Sequence, residues 1–314
     1  MLKRRIWIAL SAVYVAWGST YLAIRFAVET IPPFFMAGTR FFLAALILFT
    51  WRIAAGDPWP RPAQWRSAII VGCLLLVGGN GLVSWAEQTV PSGVAALTVA
   101  SVPIWMALLD AIRPAGKRPV SGVIIGVVAG FGGIVLLVGD RGHFTGPDST
   151  QLIGIGALLL ASLLWAAGSV YSHVADMPTS AILGTAVQML AGAVGLFIVS
   201  FLSGEWSRVD PLAISPRSAL SLLYLVFVGS LIGFASYAWL LRNAPLSLVS
   251  TYAYVNPAVA LVLGALAGGE RLSARTLFAA AIIICSVILI NGAHQATSRQ
   301  SAKGTRTTPD RSAT

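Results

Sequence analysis

The sequence predicts an all-α integral membrane protein of ten transmembrane helices, built as two inverted five-helix repeats around a central cavity. Three observations support this fold class: the composition, the placement of the charges and an internal repeat. Of the 314 residues, 57% are hydrophobic and only 10% are charged, and the mean hydropathy is +0.81. A soluble domain carries about 25% charged residues. Lipid rather than water must therefore cover most of this protein's surface.

The charged residues are confined to short intervals between long apolar stretches. Nine stretches contain no Asp, Glu, Lys or Arg, and one further stretch contains only Arg40. Each is close to or longer than the roughly 18–20 apolar residues that cross a hydrocarbon core. In chain order the predicted spans 1 to 10 are 6–24, 34–51, 67–86, 88–109, 119–139, 149–175, 177–204, 218–241, 243–269 and 276–293.

The basic residues predict a multi-pass protein of the cell inner (plasma) membrane with both termini in the cytoplasm. With the N-terminus inside, 14 basic residues face the cytoplasm, six face outward and Arg40 lies within the membrane. This is the positive-inside bias, and it is concentrated in the first half of the chain. Because the net charge of +10 is distributed in this way, it indicates a membrane surface and not nucleic acid.

An internal repeat divides the chain into residues 1–146 and 147–293, followed by a tail at 294–314 that we predict to be disordered and cytoplasmic. Because each half holds five spans, an odd number, the second copy must be inverted relative to the first. A shift of 154 residues, or of 148–150 near the start, superposes Gly79 on Gly233, Trp85 on Trp239, Pro91 on Pro245, Pro103 on Pro257, Trp17 on Trp165, Ser19 on Ser169 and Tyr21 on Tyr171.

Inverted repeats are typical of secondary transporters, whose substrate site lies at the midplane between the halves. A duplication that only builds a stable bundle is the alternative. Pro103 and Pro257 lie near the middle of spans 4 and 9, where each removes a backbone donor and frees a carbonyl four residues earlier. We expect both to act as gating hinges that face the cavity.

Polar residues recur at helical spacing in six spans, which places them on single helix faces. Such a lining favours small amphipathic or zwitterionic solutes, since phosphorylated ones require Arg or Lys clamps. For any single hydroxyl, a bond to its own helix or to a neighbouring helix is the alternative. The candidate substrate-binding residues are Trp17, Tyr21, Asn80, Ser84, Thr98, Ser101, Trp165, Ser169, Tyr237, Thr251, Tyr254 and Asn256.

Two ionisable residues lie within or at the end of spans. Intramembrane charges are costly and usually face a partner or a cavity. We interpret Glu87 as a proton-coupling or gating group, with Arg40 as its partner or as the residue that holds span 2 in register. A fixed salt bridge, with Glu29 also available, is the structural alternative.

The sequence offers no set of residues for a metal or another cofactor, and no enzyme activity is expected. Cys73 and Cys285 lie in separate apolar spans, and the three histidines are scattered. In span 5, Gly122, Gly126 and Gly130 form a doubled GxxxG, which predicts close packing against span 10 or against another subunit.

The chain contains five distinctive short motifs: Trp17-Gly18-Ser19-Thr20-Tyr21, Ala37-Gly38-Thr39-Arg40-Phe41, Gly79-Asn80-Gly81, Asn256-Pro257 and Gly268-Gly269-Glu270-Arg271-Leu272-Ser273. Together they resemble the EamA branch of the drug/metabolite transporter superfamily. The resemblance covers residues 1–293 and implies five plus five inverted helices, cytoplasmic termini, and a cavity formed by spans 1, 3, 4, 6, 8 and 9. The sequence departs from the usual pattern at Asp110 and at 166–168.

The expected function is therefore export of amino acids, related small metabolites or drugs by proton-coupled alternating access. The expected partners are a small-molecule substrate, protons and the lipid bilayer, for a monomer or a homodimer. An organophosphate or nucleotide-sugar exchanger is the first alternative, although no central Lys/Arg cluster is present. A membrane-bound regulatory or partner protein without transport activity is the second.

Overall fold

The computed structural model describes residues 2–112, 121–138, 149–172, 174–244, 249 and 251–304, and all regular secondary structure within them is helical. Two π-helical stretches, π1 (Cys73–Gly81) and π2 (Leu225–Ile232), each join two α-helices end to end. The α-helices are α1 (Leu2–Ala27), α2 (Pro33–Ala54), α3 (Pro62–Gly72), α4 (Leu82–Ala86), α5 (Ser92–Val99), α6 (Val102–Ile112), α7 (Ser121–Val138), α8 (Ser149–Ser172), α9 (Ala181–Leu202), α10 (Pro216–Tyr224), α11 (Gly233–Asn243), α12 (Tyr252–Ala267) and α13 (Ala274–Gly304).

Six helical segments are long and apolar enough to cross a membrane, and they coincide with predicted spans 1, 2, 3, 6, 7 and 8. Large apolar side chains are exposed on them, among them Phe201 at 69% and Leu220 at 66%. Such surfaces are stable in lipid, where the surroundings are as apolar as the side chains. The prediction of an all-helical, multi-pass membrane protein is thereby confirmed for the described residues. Shorter apolar helices occupy the other four predicted spans, at Ser92–Met106, Ser121–Leu136, Val255–Ala267 and Ala274–Leu289.

Two long helix pairs bring the halves of the chain together. α2 packs along α9 through small and apolar side chains such as Ala44, Ala45 and Ala193. In the other pair α7 packs along α13, where Gly133 faces Ile283. At Gly130, an added Cβ would lie 2.8 Å from Ser286 Oγ of α13. Span 10 and another subunit were the two predicted packing partners of the GxxxG segment. At Gly130 the partner in the structure is span 10 of the same chain.

The two mid-span prolines differ in their local structure. Predicted span 4 is broken at Ala100 and Ser101, so that α5 ends before the break and α6 begins after it. Pro103 is the second residue of α6, an early position where a missing N–H disturbs no helical hydrogen bond. By contrast, Pro257 lies inside the continuous helix α12. The two prolines therefore differ in their depth within a helix: α6 begins one residue before Pro103, whereas α12 begins five residues before Pro257.

α13 continues to Gly304 and therefore includes the first part of the predicted tail at 294–314. Residues 305–314 of the predicted tail lie outside the described residues. So do the side chains of Asp110 and Tyr254.

Replacing Gly72 by Ala should destabilise the packing of α3 on α9. The new Cβ would lie 2.6 Å from the Gln188 carbonyl oxygen and 2.9 Å from the Gly192 nitrogen, both backbone atoms. Overpacking of this kind costs about 1–3 kcal/mol. Thermal unfolding in detergent micelles should show a clearly lower Tm for Gly72→Ala. Gly132→Ala is the control, because no atom lies within 4 Å of its Cβ position, and equal Tm values for the two variants would contradict the prediction.

Candidate functional site

An aromatic cluster at the centre of α1 joins the two halves of the chain. Its middle member is Trp17, whose ring centroid lies 5.2 Å from that of Phe234, 5.0 Å from Tyr237 and 5.2 Å from Tyr252. The contacts are edge-on or tilted, the arrangement that aromatic rings prefer. Trp17 and Tyr237 were predicted to line the site, and the structure brings them together. Phe234 and Tyr252 were missed, because neither belongs to a polar helical stripe.

A glycine allows Trp17 to approach the second half so closely. A Cβ at Gly233 would lie 2.5 Å from Trp17 Nε1, and that indole N–H donates to the Gly229 carbonyl at 3.2 Å. The counterpart contact is present in the other direction, since a Cβ at Gly79 would lie 2.9 Å from the Trp165 ring. The internal repeat pairs the two tryptophans and pairs Gly79 with Gly233. Each half therefore inserts a tryptophan against a glycine of the other.

These glycines belong to or directly follow the π-helical stretches. Gly79 lies in π1, and Gly233 begins α11 directly after π2. A π-helical stretch inserts a wider turn into an α-helix and is frequent at functional sites. Asn80, another predicted lining residue, is half-buried in π1 beside Gly79. The two stretches lie at corresponding places in the repeat.

Several predicted hydroxyl residues are engaged within the protein. The Tyr14 hydroxyl forms a hydrogen bond with the Thr251 hydroxyl, which ties α1 to the start of α12. Thr98 donates to the Val94 carbonyl of its own helix at 2.8 Å, and Ser169 donates to the Trp165 carbonyl at 2.7 Å. For Thr98 and Ser169 the structure therefore matches the alternative of local backbone bonding.

Other predicted residues are buried without a hydrogen-bond partner. Among the described residues, this holds for Ser101 Oγ, Asn256 Oδ1 and both carboxylate oxygens of Glu87; Trp105 Nε1 shares the property. Ser84 is also buried, with 1% of its surface exposed. Buried polar atoms are nearly always hydrogen-bonded in proteins. Two of these unpaired atoms, Ser101 Oγ and Trp105 Nε1, belong to residues at or close to the turn in span 4.

The structure does not bring Arg40 and Glu87 together as an ion pair. Arg40 is 3% exposed, and its Nε donates to Ser230 Oγ in π2 at 2.9 Å. Its guanidinium also lies 4.8 Å from the centroid of the Phe41 ring. Glu29 is paired elsewhere, at 3.4 Å from Arg217. Of the predicted roles for Arg40, its contact with Ser230 corresponds to holding span 2 in register.

Glu87 lies at the end of α4 with 2% of its surface exposed. The charged side chains that act on it electrostatically are Glu270, Arg25 and Arg40, and the hydroxyl of Tyr21 is influenced by its charge. Arg25 and Glu270 form an ion pair at 3.0 Å. The sequence motif at 268–273 contains Glu270, but residue spacing alone gives no sign that it meets Arg25.

A groove of about 330 Å³ lies between α1 and α10. The Ser19 and Tyr224 hydroxyls, which line it, are hydrogen-bonded at 2.7 Å. None of the predicted substrate-binding residues lines this groove, so the groove is separate from the aromatic cluster. Its wall consists of Ser19, Leu22, Ala23, Phe26, Leu220, Ser221 and Tyr224.

Trp17→Phe should destabilise the contact between the halves, because the Gly229 carbonyl loses its indole donor while most of the ring packing remains. The expected loss is about 0.5–1.5 kcal/mol in the free energy of unfolding. Thermal unfolding in detergent, followed by circular dichroism, measures it. Trp7→Phe on the same helix is the matched control, since Trp7 is 58% exposed. The same decrease in Tm for both variants would argue against a special role for Trp17.

The sequence matches the EamA-like transporter family over residues 4–139 and again over 152–292. It is 38% identical over 283 residues to the "Uncharacterized inner membrane transporter YedA" of Escherichia coli K12, covering 90% of this chain and 89% of that protein.

Two further matches support the same assignment. The "Probable amino-acid metabolite efflux pump" of the same organism is 26% identical over 301 residues, covering 89% of this chain and 92% of the pump. A solved structure described only as a "Crystal structure of protein" has a TM-score of 0.61 at 21% identity and covers 90% of this chain and 94% of its own, which supports the fold. These matches confirm the resemblance found in the motifs: the chain belongs to the EamA-like transporter family.

Proposed function

We propose that this protein exports small amphipathic metabolites, such as amino acids and related compounds or drugs, across the cell inner membrane by alternating access. The observation that carries the proposal is the aromatic cluster to which both halves of the chain contribute. In addition, the Ser101 hydroxyl and the Asn256 side-chain oxygen are buried without a hydrogen-bond partner in the described structure. Aromatic rings suit the apolar part of such a solute. Ser101 and Asn256 suit its polar groups. The family membership and the name of the efflux-pump relative support transport as the activity.

The proposed architecture is ten spans in two inverted repeats, 1–146 and 147–293, with both termini in the cytoplasm. The reciprocal contacts of Trp17 with Gly233 and of Trp165 with Gly79 support a two-fold relation between the halves. Separate family matches to 4–139 and 152–292 support the same division. Exchange of the two halves' conformations would open the site to either side in turn.

A second pair of contacts supports the inverted relation at the two ends of the α2–α9 pair. Glu205, after α9, accepts from the Phe35 backbone N–H at the start of α2, at 2.9 Å. Asp57, after α2, interacts with Ser180, the N-cap of α9. Hydrogen bonds from Arg52 and Ser180 hold the pKa of the Asp57 carboxyl below its ordinary value. Each helix of the pair thus begins beside a carboxylate that follows the end of the other.

Flux through proteoliposomes tests the proposal directly. Vesicles that contain the protein and are loaded with labelled amino acids and cationic drugs should release one of these solutes faster than loaded vesicles without the protein. A protein that only regulates or assembles with another would show no such flux. Absence of efflux for the whole panel, with correctly folded protein, would reject the exporter function.

Proton coupling is the second part of the proposal, with Glu87 as the proton-exchanging group. A buried carboxylate is costly to keep charged, so it can hold a proton while buried and release it when the site opens to water. Glu87→Gln should abolish the dependence of efflux on a pH gradient while some flux remains. Glu29→Gln, at an exposed ion pair with Arg217, should keep the dependence. If a pH gradient still accelerates efflux by the Glu87→Gln protein, the coupling role of Glu87 is rejected.

Asn80→Ala should alter the affinity for the transported solute. Loss of one hydrogen bond corresponds to about 0.5–1.5 kcal/mol, or roughly a two- to tenfold higher KM. Asn243→Ala provides the control, because Asn243 is an exposed residue whose amide caps a carbonyl at the end of α11. Initial efflux rates at several internal concentrations give KM for each variant. An unchanged KM for Asn80→Ala would remove Asn80 from the proposed site.

A further inference from the structure

We propose that Glu270 is the latch of the outer gate, and that α5 is the gate element which it holds closed. The inference rests on the proposed alternating access, but it names a residue and a moving helix that the predicted site did not include. On the proposed orientation, the start of α5, the end of α1 and Glu270 all lie at the outer end of the bundle.

The Glu270 carboxylate binds two helices at once, α1 and α5. Its Oε1 accepts hydrogen bonds from the Ser92 backbone N–H at 2.7 Å and from the Ser92 hydroxyl at 2.6 Å. The same oxygen forms an ion pair with Arg25 Nη1 at 3.0 Å. Its Oε2 accepts from the Gly93 backbone N–H at 3.0 Å. Charge-assisted bonds of this kind are stronger than neutral ones, and a carboxylate is favourable at a helix start. The start of α5 is thereby tied to α1 and to the segment after α12.

Glycines create the space that the carboxylate occupies. A Cβ at Gly264 would lie 2.6 Å from Glu270 Oε2, and a Cβ at Gly93 would lie 3.2 Å from the same atom. Gly269 has φ +65°, a left-handed conformation that turns the chain directly before Glu270. The Glu270 side chain is only 5% exposed. These features together form a fitted seat for one carboxylate.

α5 has the form of a movable element. It is only 8 residues long and ends at the break at Ala100 and Ser101. Its residues from Ser92 to Thr98 are all buried, so it fills the outer part of the bundle. A short helix held at one end by the latch and followed at the other by a break can rotate once the latch opens. The Arg25 side chain is 34% exposed, so water can solvate it when the ion pair separates.

Glu205 offers the contrasting case. It binds the start of α2 in the same manner, through the Phe34 and Phe35 backbone N–H groups. However, its other partner is the neutral Ser200 hydroxyl at 3.0 Å instead of an arginine. α2 also has no break and packs along α9 over much of its length. The carboxylate of Glu205 is thus an anchor for a fixed helix, which makes it the matched control for Glu270.

Cysteine accessibility tests the latch without any knowledge of the solute. The two native cysteines, Cys73 and Cys285, are replaced by Ser, and Thr98→Cys places a reporter in α5 at a position that is 0% exposed. A membrane-impermeant maleimide is added from the outer side of oriented proteoliposomes. Glu270→Gln should raise the labelling rate by about tenfold or more, the change that about 1.4 kcal/mol produces. Glu205→Gln should leave the rate at the parent value.

A second variant keeps the test valid if Glu270→Gln folds poorly. Gly264→Ala inserts a methyl group into the seat of the carboxylate, and it should also raise the labelling rate. Size-exclusion elution in detergent verifies the fold of each variant. Parent-like labelling in the folded Glu270→Gln and Gly264→Ala proteins would overturn the proposal, and so would an equal increase in Glu205→Gln.

The labelling result and the transport result fail separately. The maleimide reports opening of the outer end and requires no flux. A latch-dependent increase in labelling, in a protein that releases no solute, would uphold Glu270 as the latch and reject export. Normal efflux, together with a labelling rate that Glu270→Gln leaves unchanged, would uphold export and reject the latch.

Discussion

Where a helix begins in a low-dielectric environment, its first backbone N–H groups must find hydrogen-bond acceptors. This requirement shapes the described structure. The interior of a bilayer contains no water that could hydrogen-bond to polar groups, so an unpaired backbone group there is costly. α2 and α5 both begin after prolines, and neither has a capping side chain at its own N-cap. In each case a carboxylate from a distant part of the chain accepts the free N–H groups, Glu205 for α2 and Glu270 for α5. A local requirement is thereby met by a long-range contact, and that contact fixes the packing of the helices.

The membrane environment also determines how the two halves pack: their helices must approach each other closely. No hydrophobic effect drives helices together in lipid, so packing relies on small residues and interhelical hydrogen bonds. Gly79 and Gly233 admit the rings of Trp165 and Trp17. Arg40 reaches the opposite half through Ser230, and Tyr14 reaches it through Thr251. The polar and aromatic contacts thus lie at the interface where a transporter of inverted halves would place its substrate.

The sequence predicted the helical membrane class well, because that class depends on composition and on the length of apolar stretches. It also placed Trp17 and Tyr237 among the candidate site residues, Tyr237 from a polar helical face and Trp17 from the internal repeat that pairs it with Trp165. It could not find Tyr252 or the pairing of Arg25 with Glu270, because these depend on which helices meet in space. Helical spacing fixes the face of a residue but not its partner. For the same reason Arg40 was assigned to Glu87 as a possible partner, whereas its guanidinium binds Ser230 across the interface.

The asymmetry between spans 4 and 9 follows from where proline falls within each helix. A proline in the first turn replaces an N–H that needs no helical acceptor, so Pro103 is compatible with a new helix that begins at Val102. The preceding residues Ala100 and Ser101 form a turn between α5 and α6, and the Ser101 hydroxyl is buried without a partner. In α12 the proline lies deeper, and the helix runs on through Pro257. The two equivalent prolines therefore differ in depth, since α6 begins one residue before Pro103 and α12 begins five residues before Pro257. If the proposed alternating access operates, the two prolines are the positions where equivalent segments of the two halves would take up different conformations.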